Sequence, residues 1–161
     1  MNSIINKTIT DKQLKGMLLE MAVSQALDIL GIQHIHNDWD NYARMNGGVD
    51  IITDEWLIEC KNWTYKTNVD METLKTEVVD RFIDSDSKNM LVISCIGSGL
   101  ILRLKKFSIQ VVTLGTDVTP NNYSSIVNLL LFKLSPLLLK KPYIHSNSLY
   151  GSAEIEGRKN D

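Results

Sequence analysis

The sequence predicts a single α/β domain in which a mixed β-sheet is flanked by helices. The chain has 161 residues, of which 43% are hydrophobic and 22% are charged, which suits one globular core. Apolar residues recur at helical spacing near both ends of the chain, and β-rich runs alternate with shorter helical patterns between them. That order is typical of a sheet covered by helices. We predict one domain over residues 1–145, followed by a polar tail at 146–161 that reads either as native or as a protease-site remnant of an expression vector.

The first predicted element is a helix over about residues 12–30, with Thr10 and Asp11 as caps and Gly31 as the stop. Its predicted apolar face consists of Leu14, Met17, Leu18, Met21, Leu27 and Leu30. The polar segment 37–48 ends in two glycines and is predicted to be a loop. Residues 49–52 and 56–62 are rich in β-branched and aromatic side chains, which indicates an antiparallel hairpin.

The second half of the chain continues the alternation. A helix is predicted from Asp70 to about Asp84, followed by a buried strand at 90–95, a glycine-rich break, a short helix at 100–107 and a strand at 108–115. A last helix is predicted over 123–134, with Pro136 disrupting any continuation of the helix. The buried stripe of the helix that begins at Asp70 is predicted to be Met71, Leu74, Val78, Phe82 and Ile83.

The composition of the chain indicates its cellular compartment and limits the molecules that it could bind. The formal net charge is −2, so the chain lacks a global basic field, and a polyanion such as DNA would have to meet a local basic patch. Cys60 and Cys95 each lie in an apolar run, which is typical of buried free thiols in the reducing cytoplasm. No apolar run reaches the roughly 18 residues of a membrane span, and the N-terminus does not resemble a signal peptide. We expect a soluble, cytoplasmic protein without a membrane partner.

Two acidic residues interrupt the predicted hairpin. Glu59 and Lys61 are two residues apart in a strand and therefore share a face. If Thr53 pairs with Trp56, or if residues 53–56 form a four-residue loop, Asp50 lies opposite Glu59 on that same face. A three-residue loop would instead place the two carboxylates on different faces of the sheet. The parity of the turn therefore decides whether the charges form a site.

Facing carboxylates repel each other, so a cation between them is expected. Paired oxygen ligands suit Mg²⁺, and Lys61 would lie beside a metal-bound water or a phosphate oxygen, as phosphodiester hydrolysis requires. The competing interpretation of Glu59 and Lys61 is an ordinary solvated strand face. Glu20 is a third acid, near the edge of the predicted apolar face of the first helix. Gly16 precedes it by one turn and suggests close approach by backbone or ligand.

These residues resemble a family. The elements are Lys15-Gly16-x-x-x-Glu20 in a first helix, then Gly48-Val49-Asp50, then Glu59-Cys60-Lys61-Asn62-Trp63 at a strand end. In this order they resemble the PD-(D/E)xK nuclease superfamily, closest to archaeal Holliday junction resolvases and Mrr-type restriction endonucleases. The resemblance covers about residues 12–114 and implies a restriction-endonuclease-like core. The family's proline before the first acid is absent, since Val49 stands in its place.

The resemblance implies a role for each of these residues. Asp50, Glu59 and the backbone carbonyl of Cys60 would bind Mg²⁺, with Mn²⁺ as a substitute. Glu20 would support the metal through water, and Lys61 would position or activate the attacking water. Weaker candidates for contact with nucleic acid are Asn62, Trp63, Tyr65, Lys66, Ser98, Lys105 and Lys106. Trp63 reads equally well as a core residue. An ordinary turn is the preferred interpretation of Ser98, and a solvated face is that of the two lysines. His34 and His36 lack metal-ligand spacing and read as strand or loop residues.

The expected function is a metal-dependent DNA endonuclease, with Holliday junction resolution favoured over restriction because the chain shows no separate specificity domain. Paired cuts on two strands favour a homodimer, for which the apolar segment 126–139 is a candidate interface, although it can equally complete the core. The alternatives are a restriction or repair nuclease, a non-catalytic nucleic-acid-binding module on the same fold, or a protein whose hairpin charges are merely solvated.

Overall fold

The computed structural model describes residues 11–36, 48–63, 70–82, 88–95 and 99–139, and these form a five-stranded mixed sheet flanked by helices. The predicted polar tail and, except for Gly48, the predicted loop at 37–48 lie outside the described residues. In chain order the elements are α1 (Asp11–Ile29), β1 (His34–His36), β2 (Ile51–Thr53), β3 (Trp56–Lys61), α2 (Met71–Glu77), β4 (Asn89–Ser94), α3 (Gly99–Leu104), β5 (Gln110–Thr113) and α4 (Tyr123–Leu138). Short 3-10 turns follow α2 at Val79–Phe82 and α3 at Lys105–Phe107.

The strands lie side by side in chain order, from β1 to β5. The first three are antiparallel, and β3, β4 and β5 are parallel. The parallel connections each contain a helix, as parallel neighbours require. This arrangement confirms the predicted α/β class, the hairpin and the mixed sheet. The edge strand β1 was predicted only as a strand or loop.

Each face of the sheet has its own core. One face packs against α1 and α4, and the other packs against α2 and α3. Because successive residues in a strand point to opposite faces, Ile58 and Cys60 of β3 belong to the first core while Leu57 belongs to the second. Glu59 and Lys61 therefore leave β3 on the side of α2.

The predicted apolar face of α1 is confirmed only in part, since Leu27 is buried and Leu18 and Leu30 pack against the core. Leu14 and Met21 are 41% and 51% exposed, whereas the buried residues are Leu19, Ala22, Val23, Ala26 and Leu27. Two of these are alanines, whose small side chains let α1 lie close to the sheet and to α4. A pattern of large apolar residues does not reveal such a face. The predicted stop is confirmed, since Gly31 has a φ of 71° and Ile32 donates its N–H to the carbonyl of Leu27.

α2 is shorter than predicted. Asp70 caps it by accepting the N–H of Thr73 at 2.7 Å, but the α-helix ends at Glu77 and gives way to a 3-10 turn. Leu74, Val78 and Phe82 are buried as predicted. Met71 is 49% exposed, which corrects its assignment to the stripe, and Ile83 lies outside the described residues.

α4 continues through Pro136, so the predicted disruption there is wrong. Proline removes one helical hydrogen bond, the one to the carbonyl of Phe132. Phe132 is 76% exposed and lies on the outer side of the helix, where water can replace the missing donor. Leu134 and Leu138 are buried on either side of the proline and hold the helix against the sheet. Within the described ranges, none of the helices combines the length and apolarity that crossing a membrane requires.

Candidate active site

The turn of the hairpin has the parity that places Asp50 opposite Glu59. Ile51 pairs with Ile58 and Ile52 pairs with Leu57, so the next pair outward is Asp50 with Glu59. This register confirms the even-numbered turn and excludes a three-residue loop. The Thr53 hydroxyl accepts the N–H groups of Glu55 at 3.3 Å and Trp56 at 2.9 Å, and these bonds close a turn whose Asp-Glu sequence is not a favoured one.

Glu59 and Lys61 form a close ion pair at the end of β3. The Lys61 Nζ atom lies 2.9 Å from Glu59 Oε1, and the side chains of Lys61 and Glu59 are 15% and 2% exposed. The Lys61 ammonium also lies 5.9 Å from the centroid of the Trp63 ring, on the same side of the chain. A carboxylate so deeply buried requires a cationic partner, which Lys61 provides.

Asp50 completes an acidic cluster. Its Oδ2 atom accepts the backbone N–H of Cys60 at 2.7 Å, which fixes the carboxylate across the end of β3. Burial, then the charge of Glu59, then the charge of Glu20 raise the pKa of Asp50 to about 7, against a smaller lowering by the Cys60 bond and by Lys61. The carboxylate of Asp50 is therefore buried beside two other acids, and both conditions disfavour its charged form. A cation bound there would be favoured.

Glu20 reaches the cluster from α1, on the other face of the sheet. Its Oε2 atom lies 3.2 Å from His36 Nε2, and the side chains of Glu20 and His36 are 18% and 25% exposed. His36 ends β1 and pairs with Ile51, the residue after Asp50. No site role was predicted for this histidine from the sequence. The sequence did contain a pattern that could have indicated it, because His34 and His36 are two residues apart and therefore lie on one face of a strand.

Oxygen ligands for a hard divalent cation are therefore present, and they fit Mg²⁺ better than a softer metal. Asp50 and Glu59 would supply carboxylates, the carbonyl of Cys60 follows Glu59 in β3, and Glu20 adds negative charge. Among the residues described by the structure, no group of three or more His, Cys, Asp or Glu side chains is arranged to hold a metal ion. A cation here would take its remaining ligands from water and substrate phosphate, and would compete with Lys61 for Glu59.

Asn62 and Trp63, the two described residues after β3, are partly buried and buried, respectively. Trp63 is 9% exposed and belongs to the core on the α2 side, so the structure supports the core interpretation and not base stacking. Asn62 accepts the thiol of Cys95 at 3.0 Å through Oδ1. Burial raises the pKa of the Cys60 thiol well above its ordinary value and that of Cys95 to about 11, so both thiols stay protonated. Tyr65, Lys66 and Ser98 lie outside the described residues.

The structure does not bring Lys105 and Lys106 to the carboxylates. They lie in the exposed turn that precedes β5. Because β3 and β5 both run parallel to β4, the beginning of β5 and the end of β3 lie at opposite edges of the sheet. The predicted basic patch at the site therefore cannot include this pair.

Gly16 faces open space. A Cβ atom built on it would meet no atom of another residue within 4 Å, so the expected close approach of protein backbone is wrong for the part of the chain described. Approach of a ligand at this position stays a prediction. A groove of about 720 Å³ is found elsewhere, at the edge of the sheet that carries the hairpin turn, where it is lined by Asp28, His34, Thr53 and Lys88 among others.

Neither a scan against protein-family models nor searches of curated proteins and of solved structures found a match for this chain. The function must therefore be inferred from the geometry of the site and from the resemblance of its motif.

Proposed function

We propose that this chain is a divalent-metal-dependent endodeoxyribonuclease of the PD-(D/E)xK type, with a restriction-endonuclease-like core. The observation that carries the proposal is the hairpin register, which sets Asp50 against Glu59 with Lys61 in contact. A solvated strand face is a poor account of these charges, because Glu59 is 2% exposed and a protein rarely buries a carboxylate without a use for it.

Asp50 and Glu59 would hold Mg²⁺ or Mn²⁺ together with the carbonyl of Cys60, and Glu20 would support the ion through water. When bound, the ion supplies charge neutralisation at the phosphate and a more acidic water. Lys61 would orient the attacking water and offset charge on the phosphate. In the reaction, the attacking water gives up a proton as its oxygen bonds to phosphorus, the bond from phosphorus to one ester oxygen breaks, and the leaving oxygen takes up a proton.

The surroundings of Lys61 and Asp50 support the roles proposed for them. Lys61 lies near the end of β3 with 15% of its side chain exposed, so its ammonium can exchange Glu59 for a phosphate oxygen when a cation takes over that carboxylate. Trp63 lies beneath the ammonium and limits where it can move. Asp50 keeps its orientation in either state through the N–H of Cys60.

We further propose DNA as the substrate and a homodimer as the active form, since two symmetric sites allow paired cuts on the two strands. A branched substrate such as a Holliday junction is preferred over a linear sequence. The buried residues of segment 126–139 complete the core, so the candidate interface is the exposed apolar part of α4 in its C-terminal half, where Phe132 is 76% exposed.

The test is to incubate the protein with supercoiled plasmid, a four-way junction and a flap substrate in the presence of Mg²⁺, Mn²⁺ or EDTA. Wild type should cut at least one substrate with either metal and none with EDTA. Glu59→Gln should cut roughly 100-fold or more slowly, which is the typical loss when a single preorganised electrostatic group is removed. Glu55→Gln is the matched control, because Glu55 is an exposed residue in the turn of the same hairpin and should cut like wild type.

The same experiment decides against the proposal if wild type binds these substrates but leaves all of them intact with both metals. That result would favour a non-catalytic nucleic-acid-binding module. Equal cutting by wild type and Glu59→Gln would place any nuclease activity at a different site or in a contaminant.

A further inference from the structure

Side chains of β1 contact α1 at three points in the described residues: His36 meets Glu20, and His34 meets both Ser24 and Asp28. His36 Nε2 lies 3.2 Å from Glu20 Oε2, and His34 Nε2 lies 2.6 Å from the hydroxyl of Ser24. Four residues along a helix and two residues along a strand each advance about 6 Å, so the two contacts repeat with the same spacing. Both histidines therefore face α1, at neighbouring positions on the same strand.

The two contacts differ in where they lie. His34 also contacts the carbonyl of Ile32 at 3.0 Å through Nδ1, so it joins α1 to the segment that leads into β1. His36 lies one step nearer the carboxylates, since its strand partner Ile51 follows Asp50. The first contact has a structural role. The second joins α1 to the edge of the candidate site.

Glu20 requires such a partner. It approaches Asp50 from the opposite face to Glu59, and its charge contributes to the raised pKa of Asp50. Three carboxylates near one another repel, and a glutamate side chain has enough rotatable bonds to turn away into solvent. The imidazole of His36, three-quarters buried, limits that movement.

We propose that His36 is a positioning residue that holds the Glu20 carboxylate toward the Asp50 and Glu59 pair. The proposal rests on the proposed function, because it assigns Glu20 a task at the nuclease centre. His36 acts through Glu20 and does not itself contact the substrate. Side chains that hold the carboxylates near a metal in place are typically worth about 10- to 100-fold in activity or metal affinity, so a similar effect is expected here.

The test compares His36→Ala, His36→Gln and His34→Ala, in rates of Mg²⁺-dependent cutting and in the Mg²⁺ concentration that gives half-maximal rate. His36→Ala should lower kcat or raise the Mg²⁺ requirement by about 10-fold or more, with little change in KM for DNA. His36→Gln should recover most of the loss, because its amide N–H can reach the same carboxylate. His34→Ala, the matched control on the same strand and helix, should lower the Tm but leave the Mg²⁺ requirement unchanged.

The outcomes separate the two proposals. A wild-type protein that cuts nothing overturns the proposed function, and the role of His36 with it. A wild-type protein that cuts, with His36→Ala and His34→Ala equal in kcat and Mg²⁺ requirement, overturns the role of His36 alone. Failure of His36→Gln to exceed His36→Ala also overturns it. Unfolding in urea of all four proteins identifies any variant whose loss of activity reflects a loss of folded protein.

Discussion

Replacing Asp50 with asparagine is expected to stabilise the metal-free fold at neutral and alkaline pH. The pKa of Asp50 is raised from 3.8 to about 7 in the folded protein, by burial and by the neighbouring carboxylates. An acid whose pKa is higher in the folded state favours folding below its unfolded pKa and loses that contribution as the pH rises through its folded pKa. The side chain should therefore destabilise the fold progressively between about pH 4 and pH 7.

The magnitude follows from the size of the shift. A difference of about three pKa units corresponds to an upper limit of about 4 kcal/mol in the free energy of unfolding. Asparagine removes the charge but retains an oxygen that can accept the Cys60 N–H. We expect Asp50→Asn to gain about 2–4 kcal/mol at about pH 8, a gain that shrinks as the pH approaches 4.

The assay is urea unfolding in EDTA, repeated from about pH 4 to pH 8, the range over which the linkage acts. Asp54→Asn is the matched control, since Asp54 is exposed in the turn of the same hairpin. Adding Mg²⁺ near pH 8 should stabilise wild type more than Asp50→Asn, because a cation that binds only the folded state adds stability by mass action. A gain that does not depend on pH, or a loss of stability near pH 8, would refute the reasoning from burial and charge.

Three further results are expected. Gly16→Ala should raise the free energy of unfolding by about 0.5–1 kcal/mol in urea, because alanine favours the helix and its Cβ meets no neighbour; a loss would contradict the open space seen there. Leu130→Ala should cost about 2–5 kcal/mol by the same measurement, since the side chain is fully buried; a change within experimental error would mean that α4 is not part of the core. Cys60 and Cys95 should resist iodoacetamide near pH 8 until urea is added, as followed by mass spectrometry, because burial raises both thiol pKa values; fast labelling of the native protein would contradict this.

The hairpin shows how far local sequence information reaches. The alternation of side chains in β3 required Glu59 and Lys61 to share a face. An even or odd number of residues in the turn would then place Asp50 on that face or on the opposite one. The structure has the even-numbered turn, closed by the Thr53 hydroxyl. Contacts within about ten residues of one another are set by backbone periodicity and turn chemistry, which a sequence displays directly.

α1 shows where that information ends. Large apolar residues predicted only part of the buried face, because that face also contains Ala22 and Ala26, whose contribution depends on how closely α4 and the sheet approach. Pro136 was expected to end α4, yet burial of Leu134 and Leu138 outweighs one missing hydrogen bond. Both results depend on tertiary packing, which overrides local propensity.

The sequence by itself determined the α/β class, the hairpin, the C-terminal end of α1 and the shared face of Glu59 and Lys61, since each follows from the spacing of residues along one segment. Tertiary structure alone decided that His36 meets Glu20, that Trp63 belongs to the core, and that Lys105 and Lys106 lie at the other edge of the sheet. The physical reason is that these relations join separate elements. Their geometry is set by how helices pack on the sheet and by strand direction, not by the spacing of residues along the chain.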